Sequence, residues 1–173
     1  MIIGLAGKKY SGKDTAGLFF KENGYIRIAF ADPLKEICQI AFGLTDEELY
    51  HDKEKIVDEW QVSSRKLMQI VGTELFRNEL AKQLPRIGES IWLRIAEKKI
   101  KQAGQNVVIT DVRYENEAAM IRRLGGKIVY VDRKTDHIDD HTSEKIIEYD
   151  YSIENNGTLD EFYDLLNCFL NRL

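Results

Sequence analysis

The chain has 173 residues, 43% of them hydrophobic and 31% charged, with a formal net charge of -4; that is enough for one domain with a sizeable core, and the acidic balance argues against non-specific nucleic-acid binding through a basic surface. No apolar run approaches the length of a membrane span, and Met1 leads directly into an apolar strand with no basic or long apolar leader. With Cys38 and Cys168 far apart and outside any metal or redox spacing, a reducing cytoplasm is the expected location.

Taken in chain order, residues 1–6 read as an apolar strand and residues 14–23 as a helix stopped by Gly24. Residues 25–30 read as a second strand. Asp32-Pro33 reads as a helix start with Asp32 as cap, and that helix runs towards Phe42. Thr45-Asp46-Glu47-Glu48 is a capping box for a short acidic helix, and residues 51–60 are polar and exposed. Residues 63–83 form a long amphipathic helix with Leu67, Ile70, Val71 and Leu75 on one face. Residues 91–103 form another helix, closed by Gly104. Residues 106–112 are a buried-type strand, 114–124 a helix stopped by Gly125-Gly126, 127–132 a strand and 149–153 a weak last strand. Thr158-Leu159-Asp160-Glu161 is a second capping box opening a C-terminal helix. Strands separated by helices of this length imply βαβ units, an α/β fold and a parallel sheet with helices on both faces. In such sheets ligands sit at the carboxyl ends of the strands, which is expected to gather the loop after the first strand, Asp32, Asp111, Arg113 and Arg133 around one cleft.

The strongest chemical signal is the loop after the first strand. Gly7 and Gly12 followed by Lys13 have the spacing of the phosphate-binding P-loop, G-x-x-x-x-G-K. Glycines let the backbone curl so that several N–H groups point inward, and the following helix aims its positive end at the same point. Lys13 adds a mobile cation for the outer phosphates, so the loop is expected to bind ATP or GTP. The residue after the lysine is usually Ser or Thr; here it is Asp14, and the hydroxyl follows at Thr15. The form G-K-x-T is that of nucleoside monophosphate kinases.

Four further constellations bear on what the nucleotide is used for. Asp111 ends an apolar strand, the usual place for a carboxylate that orients Mg2+ or substrate, although an Asp capping the next helix reads the same way. Arg113, two residues on, carries a fork suited to a phosphate or a carboxylate. On the long helix, Arg65, Gln69, Gly72 and Phe76 follow i, i+4, i+7, i+11 spacing, with Thr73 and Arg77 beside them; a mixed stripe of this kind suits a base, sugar and phosphate, or equally a boundary between core and solvent. Trp92 near a helix start is either core or a lid over a flat base. Residues 133–144 are polar and follow a strand, a candidate lid carrying Arg133 and Lys134; His137 and His141 there lack a third well-placed ligand for a metal.

With these residues in order, the chain resembles the phage-type deoxynucleoside monophosphate kinases. The match rests on residues 7–15 (G-K-K-Y-S-G-K-D-T), 65–74 followed by Arg77, Ile91-Trp92, 110–117 (T-D-V-R-Y-E-N-E), and Asn156-Gly157-Thr158-Leu159, in the same order over nearly the whole chain. The resemblance implies a single P-loop kinase domain over residues 1–173 with three layers, an acceptor-binding helical part at about 32–103 and a lid-like segment at about 133–148. It implies transfer of the γ-phosphoryl group of ATP to a deoxynucleoside monophosphate, with Mg2+. Gly7, Lys8, Tyr10, Ser11, Gly12, Lys13, Asp14 and Thr15 would cradle the ATP phosphates, and Asn156 would lie near the adenine. Asp32, Arg65, Gln69, Arg77, Trp92, Asp111, Arg113 and Glu117 would serve the acceptor, with Lys13, Arg65 and Arg113 carrying catalysis. Thr15 and Asp111 would be the candidates for holding Mg2+. The resemblance also implies a homodimer, placed in the host cytoplasm if the chain is viral.

Rival readings are a dephospho-coenzyme A or phosphomevalonate kinase of the same fold, a GTP-dependent switch, and a non-catalytic nucleotide-binding protein. The switch reading lacks its guanine-reading N-K-x-D motif. The base of the acceptor is not written in any of these residues.

Overall fold

A computed structural model describes residues 1–85, 87, 90–134 and 147–173. The chain divides into two compact units, one of residues 1–29 with 97–173 and one of residues 30–96.

The first unit is built on a five-stranded sheet. Its strands are β1 (Ile2–Ala6), β2 (Ile26–Ile28), β5 (Val107–Val112), β6 (Lys127–Asp132) and β7 (Tyr151–Glu154), in the order β2-β5-β1-β6-β7. All four pairings are parallel. Strands β1, β5 and β6 are almost wholly apolar because helices cover both faces. On one face Ile3 and Leu5 pack with Ala16, Phe19 and Phe20 of α1 (Lys13–Glu22) and Phe162, Leu166 and Phe169 of α7 (Leu159–Leu170). On the other face, a Cβ at Gly4 would stand 2.7 Å from the Ile121 Cδ1 of α6 (Glu115–Arg123), so β1 meets that helix without a side chain between them. This is the expected α/β architecture of three layers around a central parallel sheet.

Local signals explain where the helices start. Thr158 Oγ1 accepts from the Glu161 N–H at 3.3 Å while the Glu161 carboxylate accepts from the Thr158 N–H at 2.7 Å, closing the capping box ahead of α7. That backbone hydrogen bond holds the Glu161 carboxyl below its ordinary range. The strand expected over 25–30 is shorter, Ile26–Ile28, although Tyr25 and Phe30 are buried.

The second unit is helical. It holds α2 (Asp32–Phe42), a π-helical turn at Glu47–His51, a small hairpin of β3 (Ile56–Val57) and β4 (Val62–Ser63), and one long helix. The long helix is α3 (Ser64–Gln69), a π-helical stretch at Ile70–Glu79, and α4 (Leu80–Gln83). Helix α5 (Ile91–Ala103) runs from this unit into the first. Thr45 and Glu48 exchange the reciprocal hydrogen bonds of the expected box. Two expectations need correction. Asp32 is the first residue inside α2, not its cap: Ala31 takes the cap position and no side chain bonds there. Leu75 does not share the face of Leu67 and Val71; it is 48% exposed, and Phe76 packs on that cluster instead. The reason is the π-helical stretch, whose wider turn places residue i+5 where an α-helix places i+4.

Candidate functional site

The phosphate loop leaves β1 at the switch point of the sheet, since the chain goes from β1 to β2 on one side and from the adjacent β6 to β7 on the other. Crevices at such points take ligands in open parallel sheets. Its backbone is bent as the glycine spacing requires: φ is +144° at Gly7 and +104° at Gly12, and Tyr10 also takes a left-handed conformation. Alternating backbone handedness of this kind makes an anion-binding nest. Gly7 is needed for close approach too, because a Cβ there would strike the Val131 carbonyl oxygen and stand 2.8 Å from Ser11 Oγ. Ser11 is buried, and its hydroxyl has no protein partner among the described residues. Lys13 opens α1, and its Nζ donates to the Gly7 carbonyl at 2.7 Å and the Lys8 carbonyl at 2.6 Å, which folds the ammonium over the loop. Tyr10 and Lys8 are exposed at the rim, Asp14 is exposed on the first turn of α1, and Thr15 is half-buried.

Asp111 lies within β5 and not at the cap of α6. Between the pairs Gly4–Ile109 and Ala6–Val112, β5 uses one residue more than β1, a bulge at Thr110-Asp111. Bulges re-aim side chains and recur beside active sites. Gly7 and Arg113 each follow directly on the last β1–β5 pair, Ala6–Val112, and Arg113 is exposed. Glu117 is buried, and its carboxylate accepts from the N–H groups of Arg113 at 2.8 Å and Tyr114 at 3.1 Å. Glu117 therefore fixes the turn that carries Arg113.

The carboxyl ends of β6 and β7 complete this edge. Arg133 and Lys134 follow β6 and are exposed. Asn156 is exposed, and its Oδ1 accepts from the Lys134 N–H at 2.8 Å. Sequence reasoning singled out Asn156 and passed over Asn155, whose buried amide donates to the Ser11 carbonyl at 2.8 Å. The N-N-G turn signal could have drawn attention to both. Residues 135–146, with His137 and His141 and most of the lid-like segment, lie outside the described residues. Among the described residues no cluster of three or more His, Cys, Asp or Glu could hold a metal ion by itself.

In the second unit, Arg65 and Gln69 are exposed on α3, and Arg65 is ion-paired with Glu54. The stripe expected on this helix divides. Gly72 is buried, and a Cβ there would stand 2.7 Å from Leu34 Cδ2. Phe76 lies against Trp92, with ring centroids 5.3 Å apart. Trp92 is buried, and its indole N–H donates to the Gly72 carbonyl at 3.1 Å. Arg77 and Asp32 are half-buried.

Comparison with known proteins agrees with this geometry. Two solved structures share the fold: a Thermus thermophilus protein, TT1252, at TM-score 0.55 and 18% identity over 100% of this chain and 97% of that one, and a dephospho-CoA kinase from Campylobacter jejuni at TM-score 0.52 and 14% identity over 99% and 96%. At the sequence level, a deoxynucleoside-5'-monophosphate kinase of Escherichia phage T5 is 26% identical over 87% of this chain and 86% of its own. A protein of Acanthamoeba polyphaga mimivirus assigned as a deoxynucleotide monophosphate kinase is 39% identical over 99% of this chain and 97% of its own. The model of the deoxynucleotide monophosphate kinase family matches residues 47–166. A family match over most of the chain, with a relative aligned along nearly all of it, makes the protein a member of the deoxynucleotide monophosphate kinase family.

Proposed function

We propose that the protein transfers the γ-phosphoryl group of ATP to a deoxynucleoside monophosphate, giving the diphosphate. The observation that carries the reading is the curled loop at residues 7–15, with Lys13 folded over its carbonyls and Arg113 following the last β1–β5 pair, Ala6–Val112, in a chain whose relatives are named for this activity. Their names favour this acceptor over coenzyme A precursors or phosphomevalonate.

Phosphoryl transfer asks for donor and acceptor in line with charge neutralised on both. Gly7, Lys8, Tyr10, Ser11, Gly12, Lys13, Asp14 and Thr15 hold the ATP phosphates, and Lys13 stabilises the migrating group. Asn156 serves the adenine side. Arg65 and Arg113 bind the acceptor phosphate, with Gln69, Arg77, Asp32 and Asp111 as further acceptor contacts. Glu117 acts by positioning Arg113, and Trp92 by supporting Gly72 and Phe76 from within the core. Arg133 and Lys134 begin the lid-like segment that excludes water during transfer. The donor set of Thr15 hydroxyl and Asp111 carboxylate suits Mg2+, which binds through few protein oxygens together with substrate phosphates. When bound, Mg2+ supplies charge neutralisation on the donor phosphates. A homodimer in the cytoplasm, the host's if the chain is viral, completes the proposal.

A coupled ADP-release assay with ATP, Mg2+ and each of the four deoxynucleoside monophosphates, with ribonucleotides as controls, tests it. ADP release dependent on a deoxynucleotide is expected and fixes the base preference. Release with none of them, while ATP still binds, overturns the acceptor assignment.

A further inference from the structure

Asn155 follows β7 directly and is 7% exposed. Its side-chain Nδ2 donates to the Ser11 carbonyl at 2.8 Å, joining positions 144 residues apart. Its backbone N–H donates to the Asp132 carbonyl at 2.7 Å, so the residue is anchored to the end of β6. The same Nδ2 fills the space that a Cβ on Gly12 would need. A side chain at position 12 and an amide at position 155 therefore exclude each other.

The geometry points to Asn155 as a positioning residue for the phosphate loop. A trans peptide is planar, and its C=O and N–H point in opposite directions. Holding the Ser11 carbonyl against the Asn155 amide therefore turns the Gly12 N–H away from Asn155. That is the Ser11–Gly12 peptide, inside the loop where the donor phosphates are expected. The neighbouring Asn156 accepts from the Lys134 N–H, so this pair of asparagines fixes the loop on one side and the chain leaving β6 on the other. The amide chemistry matters. A carboxylate at this position would lose the donor, set one oxygen against the Ser11 carbonyl and bring negative charge towards a polyphosphate.

The inference rests on residues 7–15 being an ATP-phosphate cradle, and its test separates the two. Calorimetry with ATP alone, without acceptor, would be run on the wild type, Asn155→Ala and Asn155→Asp, followed by KM for each substrate and thermal melting. ATP binding should weaken by about tenfold in Asn155→Ala and further in Asn155→Asp, while the deoxynucleotide KM stays within about twofold. A folded Asn155→Ala chain that binds ATP like the wild type overturns the inference, as does an equal rise in both KM values accompanied only by a lower melting temperature. Should neither variant fold, nuclear magnetic resonance of the wild type decides: an Asn155 side-chain amide that is protected from exchange and shifts on ATP addition supports the role, and one that exchanges freely and does not shift overturns it. A wild type that binds ATP but phosphorylates no deoxynucleotide defeats the acceptor reading and leaves this measurement standing. A wild type that does not bind ATP defeats both.

Discussion

The indole N–H of Trp92 donates to the Gly72 carbonyl at 3.1 Å, across twenty positions of sequence and inside the second unit. It reaches a helix that has widened into π geometry at Ile70–Glu79, where the changed turn alters which groups face inward. The contact makes Trp92 a structural support for Gly72 and Phe76.

Trp92→Phe keeps an aromatic ring against Phe76 but removes the donor. The buried Gly72 carbonyl loses a partner, and the variant should unfold with about 1–3 kcal/mol less stability. ATP affinity should not change. Denaturant unfolding and nucleotide titration check both parts. A variant of unaltered stability that has lost acceptor affinity would return Trp92 to direct contact with the base.

Lys13→Ala removes an ammonium that donates to two carbonyls of its own loop. The core of the first unit does not depend on it, since α1 packs through Ala16, Phe19 and Phe20. The melting temperature should hold while turnover falls by about a hundredfold or more, the scale of removing one preorganised charge from a transferring phosphoryl group. Near-normal turnover would remove Lys13 from the mechanism.

The charge network on α5 and α6 gives a pH dependence. Hydrogen bonds from Arg123 and then Lys101 hold the Glu97 carboxyl at about 2, well below the usual carboxylate range. The contacts are 2.8 Å to Arg123 and 2.7 Å to Lys101. Because the folded pKa is depressed, the stabilisation is complete above the unfolded pKa of about 4.3 and disappears as pH falls towards the folded value. Glu97→Gln should therefore lower the melting temperature modestly at neutral pH, given how exposed the two cations are. The gap between variant and wild type should narrow as the medium is acidified from about pH 4. A gap that stays constant across that range would mean Glu97 acts through packing and not through charge.

Those parts of the site that depend on short-range chemistry were legible in the sequence. Gly7, Gly12 and Lys13 announce the loop because the turn needs left-handed backbone at fixed offsets, and Thr158 and Glu161 announce α7 because a capping box is four residues long. What was not legible depends on partners far along the chain. Asn155 and Asn156 look alike, and only the pairing of β7 beside β6 decides that Asn155 is buried against Ser11. The bulge at Thr110-Asp111 exists only as a mismatch between β5 and β1. The exchange of Leu75 for Phe76 on the buried face follows from a local change of helical period, which a pattern assuming 3.6 residues per turn cannot register.

Arg65 offers the sharpest separation of donor from acceptor. Its side chain is 51% exposed and is ion-paired with Glu54, which is 73% exposed. Pairs this open contribute little to stability, so neither Arg65→Ala nor Glu54→Ala should shift the melting temperature appreciably. Their kinetic effects should differ. With Arg65 in its proposed place at the acceptor phosphate, losing its fork should raise the deoxynucleotide KM by about tenfold or more while the ATP KM stays near its original value. Losing Glu54 frees the same guanidinium, so the deoxynucleotide KM should hold or fall. Steady-state kinetics with each substrate varied in turn reads all four values. Equal rises in both KM values for Arg65→Ala would move Arg65 out of the acceptor site, and a matching rise for Glu54→Ala would mean that the ion pair itself is what the acceptor requires.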